Sequence, residues 1–147
     1  MATNYGSFTF YFPDVAPKKK VEPSVKVKLV KHEGRDSTSD CAVRAYATYM
    51  DIPYAEALKT LKAHTDYHPK GGTNPLMFGD LLKTHGMRYV RVRIRVNSKS
   101  AKEKLPRKAI LHFSTHVAAY EDGTIFDTWN CTDYAGTKQT LGYWTEA

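Results

Sequence analysis

The stretch Ser37-Thr38-Ser39-Asp40-Cys41-Ala42-Val43-Arg44-Ala45-Tyr46-Ala47 decides the fold, because it predicts the start of a nearly buried helix. Serine and aspartate, which helix N-caps prefer, stand just before Cys41. From Ala42 to Met50 apolar residues occupy almost every helical face, so we expect a central helix surrounded by protein. Cys41 then lies in the first turn, where the helix dipole and unpaired N–H groups lower the pKa of a thiol. The stretch therefore predicts a place for a nucleophile.

The rest of the chain has the composition of a globular protein. Its 147 residues fit one domain with a real core, and 41% hydrophobic and 12% aromatic content excludes a disordered chain. The segment before Val25 is rich in proline and lysine, which is typical of an extended linker. We therefore expect an extended arm over residues 1–24 and one domain over residues 25–147.

Hydrophobic periodicity predicts helices first and an antiparallel sheet afterwards, which is an α+β domain. We expect helices over 42–50 and 54–63 and from Pro75 to Gly86, and strands over 25–30, 88–96, 109–120, 125–129 and 141–144. Residues 97–108 are predicted as a charged connection. In the third helix, the apolar residues expected on the buried face are Leu76, Phe78, Leu81 and Leu82.

A thiol nucleophile requires a base within hydrogen-bond reach and a third group that orients the base. Of the six histidines, His116 is predicted on a strand close to a tight turn at Asp122-Gly123. A two-residue turn makes Asp127 the diagonal neighbour of His116, roughly 7–8 Å away between backbones. A three-residue loop instead brings Asn130 opposite His116. The orienting residue is thus Asp127 or Asn130, and the turn decides between them.

The same turn fixes further pairings. With two residues in the loop, Glu121 faces Thr124 and His116 faces Trp129. Trp129 is then expected beside His116, as one wall of a cleft.

Several motifs occur in an informative order. They are Ser39-Asp40-Cys41-Ala42-Val43-Arg44-Ala45, Pro53-Tyr54, Gly71-Gly72, His116-Val117-Ala118-Ala119-Tyr120-Glu121-Asp122-Gly123 and Phe126-Asp127-Thr128-Trp129. A cysteine at a helix start, then a strand histidine, then Asp or Asn on the next strand resembles the papain-like cysteine hydrolase superfamily. More narrowly, the chain resembles a group of small phage and bacterial papain-like proteins.

The resemblance implies a papain-like fold and thiol-dependent hydrolysis or transfer at an amide or related acyl bond. It implies Cys41 as nucleophile, His116 as general base and acid, and Asp127 as orienting residue. In one respect the chain departs from the pattern, since no Gln or Asn stands between Val30 and Cys41 to complete an oxyanion hole. The N–H of Cys41 supplies one donor, and we expect the second within residues 35–38.

Metal sites are not expected. On a strand, His112 and His116 would lie about 13 Å apart, too far to share one zinc ion. His64 and His68 would need a helix that continues to Pro69, and a third ligand is missing. We therefore predict no metal and no cofactor. Both Cys41 and Cys131 are expected as reduced thiols, the latter with a structural role.

Two further functions stay open beside the hydrolase. One is a papain-like scaffold without turnover, acting in a virion or on a host protein, with the arm of residues 1–24 available for contact with a second copy. The other is nucleic-acid binding, which the net charge of +7 and the alternating Arg91, Arg93 and Arg95 favour. The chain lacks both a run of about 18 apolar residues and a signal-like start, so we expect a cytoplasmic location, in the host cell or its virions for a phage protein.

Overall fold

A computed structural model describes residues 22–147 and gives this part of the chain four α-helices and a six-stranded sheet. The helices are α1 (Cys41–Met50), α2 (Tyr54–His64), α3 (Pro75–Thr84) and α4 (Ala101–Lys104). The strands are β1 (Lys26–Leu29), β2 (Met87–Val90), β3 (Lys108–His112), β4 (Val117–Glu121), β5 (Thr124–Asp127) and β6 (Gly142–Glu146). The expected arm of residues 1–24 lies outside the described residues as far as residue 21.

The sheet has the strand order β1-β5-β4-β3-β6-β2. Every neighbouring pair is antiparallel except β1 and β5, which run parallel. The α+β class expected from the sequence is therefore confirmed, and β1 lies at the edge of the sheet that its alternating pattern predicts.

The core lies on both faces of the sheet, as the alternation of β3 illustrates. Ile110 packs with the helices α1, α2 and α3, whereas Leu111 packs on the opposite face with Ile94, Val96 and Phe113. No helix in residues 22–147 has both the length and the apolar character needed to cross a bilayer.

Helix α1 begins at Cys41, where the capping residues predict it. Asp40 occupies the N-cap position, but its side chain does not cap the helix and instead bonds to other side chains. Six consecutive residues, from Ala42 to Ala47, are buried, Arg44 among them. The helix packs on α2 and on β4, so it is the central helix of the fold.

Helix α3 begins as predicted, with Pro75 in the first position and Asn74 Oδ1 accepting a hydrogen bond from the N–H of Leu76 at 2.8 Å. One expectation about its buried face is wrong, because Leu76 is 78% exposed. Leu76 lies in the first turn of the helix, which borders an open cleft. Phe78, Leu81 and Leu82 are buried as expected.

The strand expected over 88–96 ends at Val90. Ile94 and Val96 are buried as the alternation predicts, but the N–H of Ile94 bonds to Thr140 Oγ1 at 2.9 Å and that of Val96 to the carbonyl of Lys138 at 2.9 Å. Alternation of apolar residues predicts which side chains are buried but not which groups the backbone bonds to. It therefore did not predict that the strand ends at Val90. The connection over 97–108 also contains a short helix, α4, that buries Ala101.

The long strand expected over 109–120 is two strands, β3 and β4, which form a hairpin. The N–H of Phe113 donates to the carbonyl of His116 at 2.8 Å, closing the turn through Ser114 and Thr115. His116 therefore lies in this turn, just before β4, and not on a strand. His112 faces Val117 across the hairpin, so the separation of about 13 Å along one strand, used above against a metal pair, does not apply.

The second hairpin, between β4 and β5, has the predicted two-residue turn. Asp122 and Gly123 have φ of 48° and 86°, the left-handed values that a type I′ turn requires. Glu121 faces Thr124, which confirms the predicted register and fixes the side of the sheet on which Asp127 lies.

Candidate active site

The thiol of Cys41 lies against the turn that holds His116. Its Sγ is hydrogen-bonded to the His116 side chain and to the backbone N–H of Val117. Burial opposes ionisation of this thiol, but the hydrogen bond and charge of His116 outweigh it, with help from Val117 and Arg44. The pKa of Cys41 is therefore lowered. The first turn of α1 thus holds a thiol that favours its thiolate form.

His116 is held from its other side by Asp127. Nε2 of the imidazole and Oδ2 of the carboxylate are 2.6 Å apart, and both residues are buried. Burial would lower the pKa of His116, yet the hydrogen bonds to Asp127 and Cys41 raise it to about 9. Because Nε2 bonds to Asp127, Nδ1 is the ring nitrogen left for the thiol.

The Asp127 side chain is 1% exposed, and both of its carboxylate oxygens have hydrogen-bond partners. Its Oδ1 lies 2.5 Å from Nη1 of Arg44 and accepts the N–H of Thr128 at 2.7 Å. Burial opposes the charge, but His116 and Arg44 lower the pKa of Asp127, so it stays ionised. The thiol of Cys131 also bonds to Asp127. Burial and this carboxylate raise the pKa of Cys131 to about 12, so it remains a protonated donor.

Asn130, the alternative orienting residue, has another place. Its Oδ1 accepts the N–H of Thr132 at 3.1 Å and caps a short 3-10 turn, Cys131–Asp133. The two-residue turn after β4 thus brings Asp127, and not Asn130, onto the imidazole.

A buried ion-pair chain supports the three residues, and sequence reasoning missed it. Arg44 bridges Asp127 to Asp40, whose Oδ1 lies 2.9 Å from Nε of the guanidinium. Asp40 is 0% exposed and also accepts hydrogen bonds from Arg35 and from the hydroxyl of Tyr54. Although burial opposes it, these bonds lower the pKa of Asp40 to about 2.

The sequence did contain a signal for this chain. Arg44 is a charged residue in an otherwise apolar helix and stands four positions after Asp40, the spacing of a helical ion pair. A charge on a buried helix needs a partner, so the pair could have been expected. The second partner, Asp127, lies 83 positions away and has no local signal.

Cys41 and His116 open on a cleft of about 810 Å³. The rings of Trp129 and His116 are 5.4 Å apart, which confirms the expected place of Trp129. On another side Gly72 has φ of 70°, and a Cβ there would come within 3.0 Å of the carbonyl of Ser39. The loop of Gly71 and Gly72 therefore packs closely on the segment leading to Cys41.

Two hydroxyl residues, Thr38 and Ser39, line the cleft beside Cys41. The second oxyanion donor was expected within residues 35–38. Two other side chains of this segment that can donate hydrogen bonds have partners outside the cleft. Arg35 bonds to Asp40 and to the carbonyl of Ser37, and the Ser37 hydroxyl lies 3.3 Å from that of Tyr67. Within residues 35–38, Thr38 is the one that reaches the cleft.

One group of side chains has the spacing of metal ligands. The donor atoms of His116, Asp127 and Cys131 all lie within 4.8 Å of one another. The carboxylate already carries an ion pair to Arg44 through Oδ1 and bonds to Nε2 of His116 through Oδ2 at 2.6 Å, so two of the three donor groups are engaged with each other and with a cation. The observed bonds therefore favour an orienting network over a metal centre. His64, which ends α2, and His68 do not share a helix.

Comparison of the chain with protein-family models, with curated proteins and with solved structures finds no match.

Proposed function

We propose that the protein is a thiol-dependent hydrolase or acyl transferase acting on amide bonds, with a papain-like arrangement of its α+β domain. Cys41 is the nucleophile, His116 the general base and acid, and Asp127 the orienting residue. One observation carries the proposal: the His116 side chain is hydrogen-bonded at once to the thiol of Cys41 and, at 2.6 Å, to the carboxylate of Asp127.

The chemistry follows from the protonation states. The Cys41 thiolate attacks the amide carbonyl carbon, forming a C–S bond and a tetrahedral oxyanion. His116, protonated at the nitrogen that faces the thiol, gives this proton to the leaving amine as the C–N bond breaks. Neutral His116 then takes a proton from water, whose oxygen displaces sulfur from the thioester and releases the acid. An amine in place of water would give acyl transfer.

Oxyanion stabilisation uses the start of α1. Cys41 is the first residue of the helix, so its N–H has no carbonyl partner within the helix. The hydroxyl of Thr38 is the proposed second donor, because it combines a place in the cleft with the segment just before the nucleophile. Thr38→Val is expected to slow turnover on the order of 10²-fold, as the loss of one such donor does.

Alkylation with iodoacetamide tests the activated thiol. We expect Cys41 to be labelled at pH 6.5 faster than a free small thiol, because its pKa is lowered. Cys131 is an internal control, since it is fully buried with a raised pKa, and both cysteines should react alike in urea. Mapping the adduct by mass spectrometry gives the rates. Labelling of Cys41 that is no faster than that of the free thiol contradicts the proposal.

Binding of a polyanion is a second candidate function, favoured by one specific observation. Arg91, Arg93 and Arg95 follow the edge strand β2, and all three are exposed. Phosphate contacts by such residues give an affinity that falls steeply with salt. We expect single-stranded DNA to bind with such a slope, and the triple change to serine should abolish it. Affinity that does not vary with salt would rule this function out.

A further inference from the structure

The cleft continues from Cys41 to a pocket formed by Phe78, Tyr89, His112 and Trp144, which we call the aromatic pocket. Its floor depends on Gly79 of α3. A Cβ at this position would lie 2.6 Å from Cζ2 of Trp144, so the absence of a side chain lets the indole lie against the helix. Trp144 is partly buried and lines the cleft with the rest of its surface.

The pocket is fixed by contacts between three strands of the sheet. Tyr89 of β2 faces Trp144 of β6, with ring centroids 5.1 Å apart. The Tyr89 hydroxyl lies 2.8 Å from Nδ1 of His112 on β3. Burial lowers the pKa of His112, so the ring is neutral at pH 7 and pairs with the hydroxyl as a polar group. An apolar side chain would enter a preformed site and need little rearrangement.

The exposed charged side chain that borders the cleft is positive. Lys83 borders the cleft and is exposed, and it stands one helical turn after Gly79, on the face of α3 that meets Trp144. Arg44 and His116 also border the cleft but are paired with Asp40 and Asp127, and none of the described residues that line the cleft is Asp or Glu. A positively charged substrate would therefore find no counter-charge, while a carboxylate could pair with Lys83.

We propose that the aromatic pocket selects amide substrates that carry an aromatic or large aliphatic side chain near the scissile bond, together with an acidic group that pairs with Lys83. The substrate class is thus an acidic, apolar peptide or acyl amide. This inference rests on the proposed function, because the pocket is continuous with the cleft that opens on Cys41.

Binding to the Cys41→Ala variant tests the pocket without turnover. Three probes are titrated by calorimetry: acetyl-Glu-Phe-Gly-amide, acetyl-Lys-Phe-Gly-amide and acetyl-Glu-Gly-Gly-amide. Burying one aromatic side chain stabilises a complex by about 1.5–3 kcal/mol, so the first probe should bind at least about tenfold more tightly than the glycine probe. It should also bind more tightly than the lysine probe. Equal binding of all three, or binding of none, overturns the proposal.

Charge reversal at the edge of the pocket gives the matched comparison. Lys83→Glu should invert the preference between the glutamate and lysine probes. Lys59→Glu, an exposed position on α2, makes the same change in net charge and should leave that preference intact. If both variants change the preference between the glutamate and lysine probes equally, overall charge sets that preference, and the proposed role of Lys83 is overturned.

The two proposals fail separately. A selective pocket together with an unreactive Cys41 would leave a binding site and refute the hydrolase. A reactive Cys41 with no preference among the probes would refute the pocket alone.

Discussion

The guanidinium of Arg44 lies 2.5 Å from Oδ1 of Asp127 and joins the helix that carries Cys41 to the strand that orients His116. Because Nε of the same group bonds to Asp40, Arg44 bridges two buried carboxylates, which also pair with Arg35 and with His116. The ion pairs thereby tie Asp127 to the start of α1, although Arg44 and Asp127 stand 83 positions apart in the sequence.

Loss of Arg44 should strongly destabilise the fold. Arg44→Met leaves Asp127 with His116 and Asp40 with Arg35 as their cationic partners, and removing one partner of a buried ion pair typically lowers the free energy of unfolding by about 3–5 kcal/mol. Arg44→Lys keeps the positive charge but lacks the planar guanidinium that bonds to both carboxylates, so the free energy of unfolding should fall by less than in Arg44→Met. Urea unfolding measures both.

Arg107 provides the control, since its pairs with Glu121 and Asp122 are exposed. Arg107→Met should change the free energy of unfolding by less than about 1 kcal/mol. Similar losses for the two methionine variants would show that Arg44 contributes no more than a surface ion pair.

Replacing Asp127 should make the Cys41 thiol less reactive towards alkylation. Asp127→Asn keeps the size of the side chain but cannot stabilise a protonated imidazole, so we expect alkylation of Cys41 at pH 6.5 to slow by about tenfold or more. Asn130→Ala is the comparison, because the Asn130 side chain caps the 3-10 turn Cys131–Asp133. If the asparagine variant reacts at the native rate, Asp127 does not orient the imidazole.

The pH dependence of alkylation should report the lowered pKa of Cys41. The rate rises with the thiolate fraction, so its midpoint should lie on the acid side of the ordinary thiol pKa. In His116→Gln, Cys41 remains buried but loses the imidazole that stabilises its thiolate, so the midpoint of the alkylation rate should move to higher pH. Rates measured from pH 5 to pH 10 decide this. Superimposable profiles would mean that His116 does not activate the thiol.

Stability should change with pH in the direction set by His116. Its pKa rises from the ordinary 6.5 to about 9 in the folded chain, so the proton is bound more tightly there than in the unfolded chain. The stabilisation is complete below about pH 6.5 and is lost as the pH rises through about 9. The difference in unfolding free energy between the native protein and His116→Gln should therefore shrink over this interval. A difference that grows instead would contradict the raised pKa.

Local signals in the sequence predicted the parts of the site that depend on local geometry. The N-cap residue types before Cys41 predicted the start of α1, although the Asp40 side chain does not cap it, and the turn at Asp122-Gly123 predicted the register that brings Asp127 to His116. Both features are set within a few residues by backbone preferences, and so they can be read without knowledge of the tertiary fold.

The predictions from sequence were wrong, or missing, at positions where tertiary contacts decide the structure. Ser114 and Thr115 turn the chain within a run whose aromatic and branched residues look like one strand. Leu76 has the helical spacing of a core residue but borders the cleft. The role of Arg44 depends on Asp127, a partner that only the folded chain brings near. Periodicity predicts burial, whereas the identity of a distant partner needs the topology.

The parallel pairing of β1 with β5 has a consequence for synthesis of the chain. Lys26 lies opposite Thr124, so the edge strand made early has no partner until almost the whole domain has left the ribosome. The same delay applies to Cys41, whose histidine and aspartate come from the later half. A nascent or truncated chain thus lacks the contacts that lower the pKa of Cys41, and the proposed nucleophile gains them only when folding is complete.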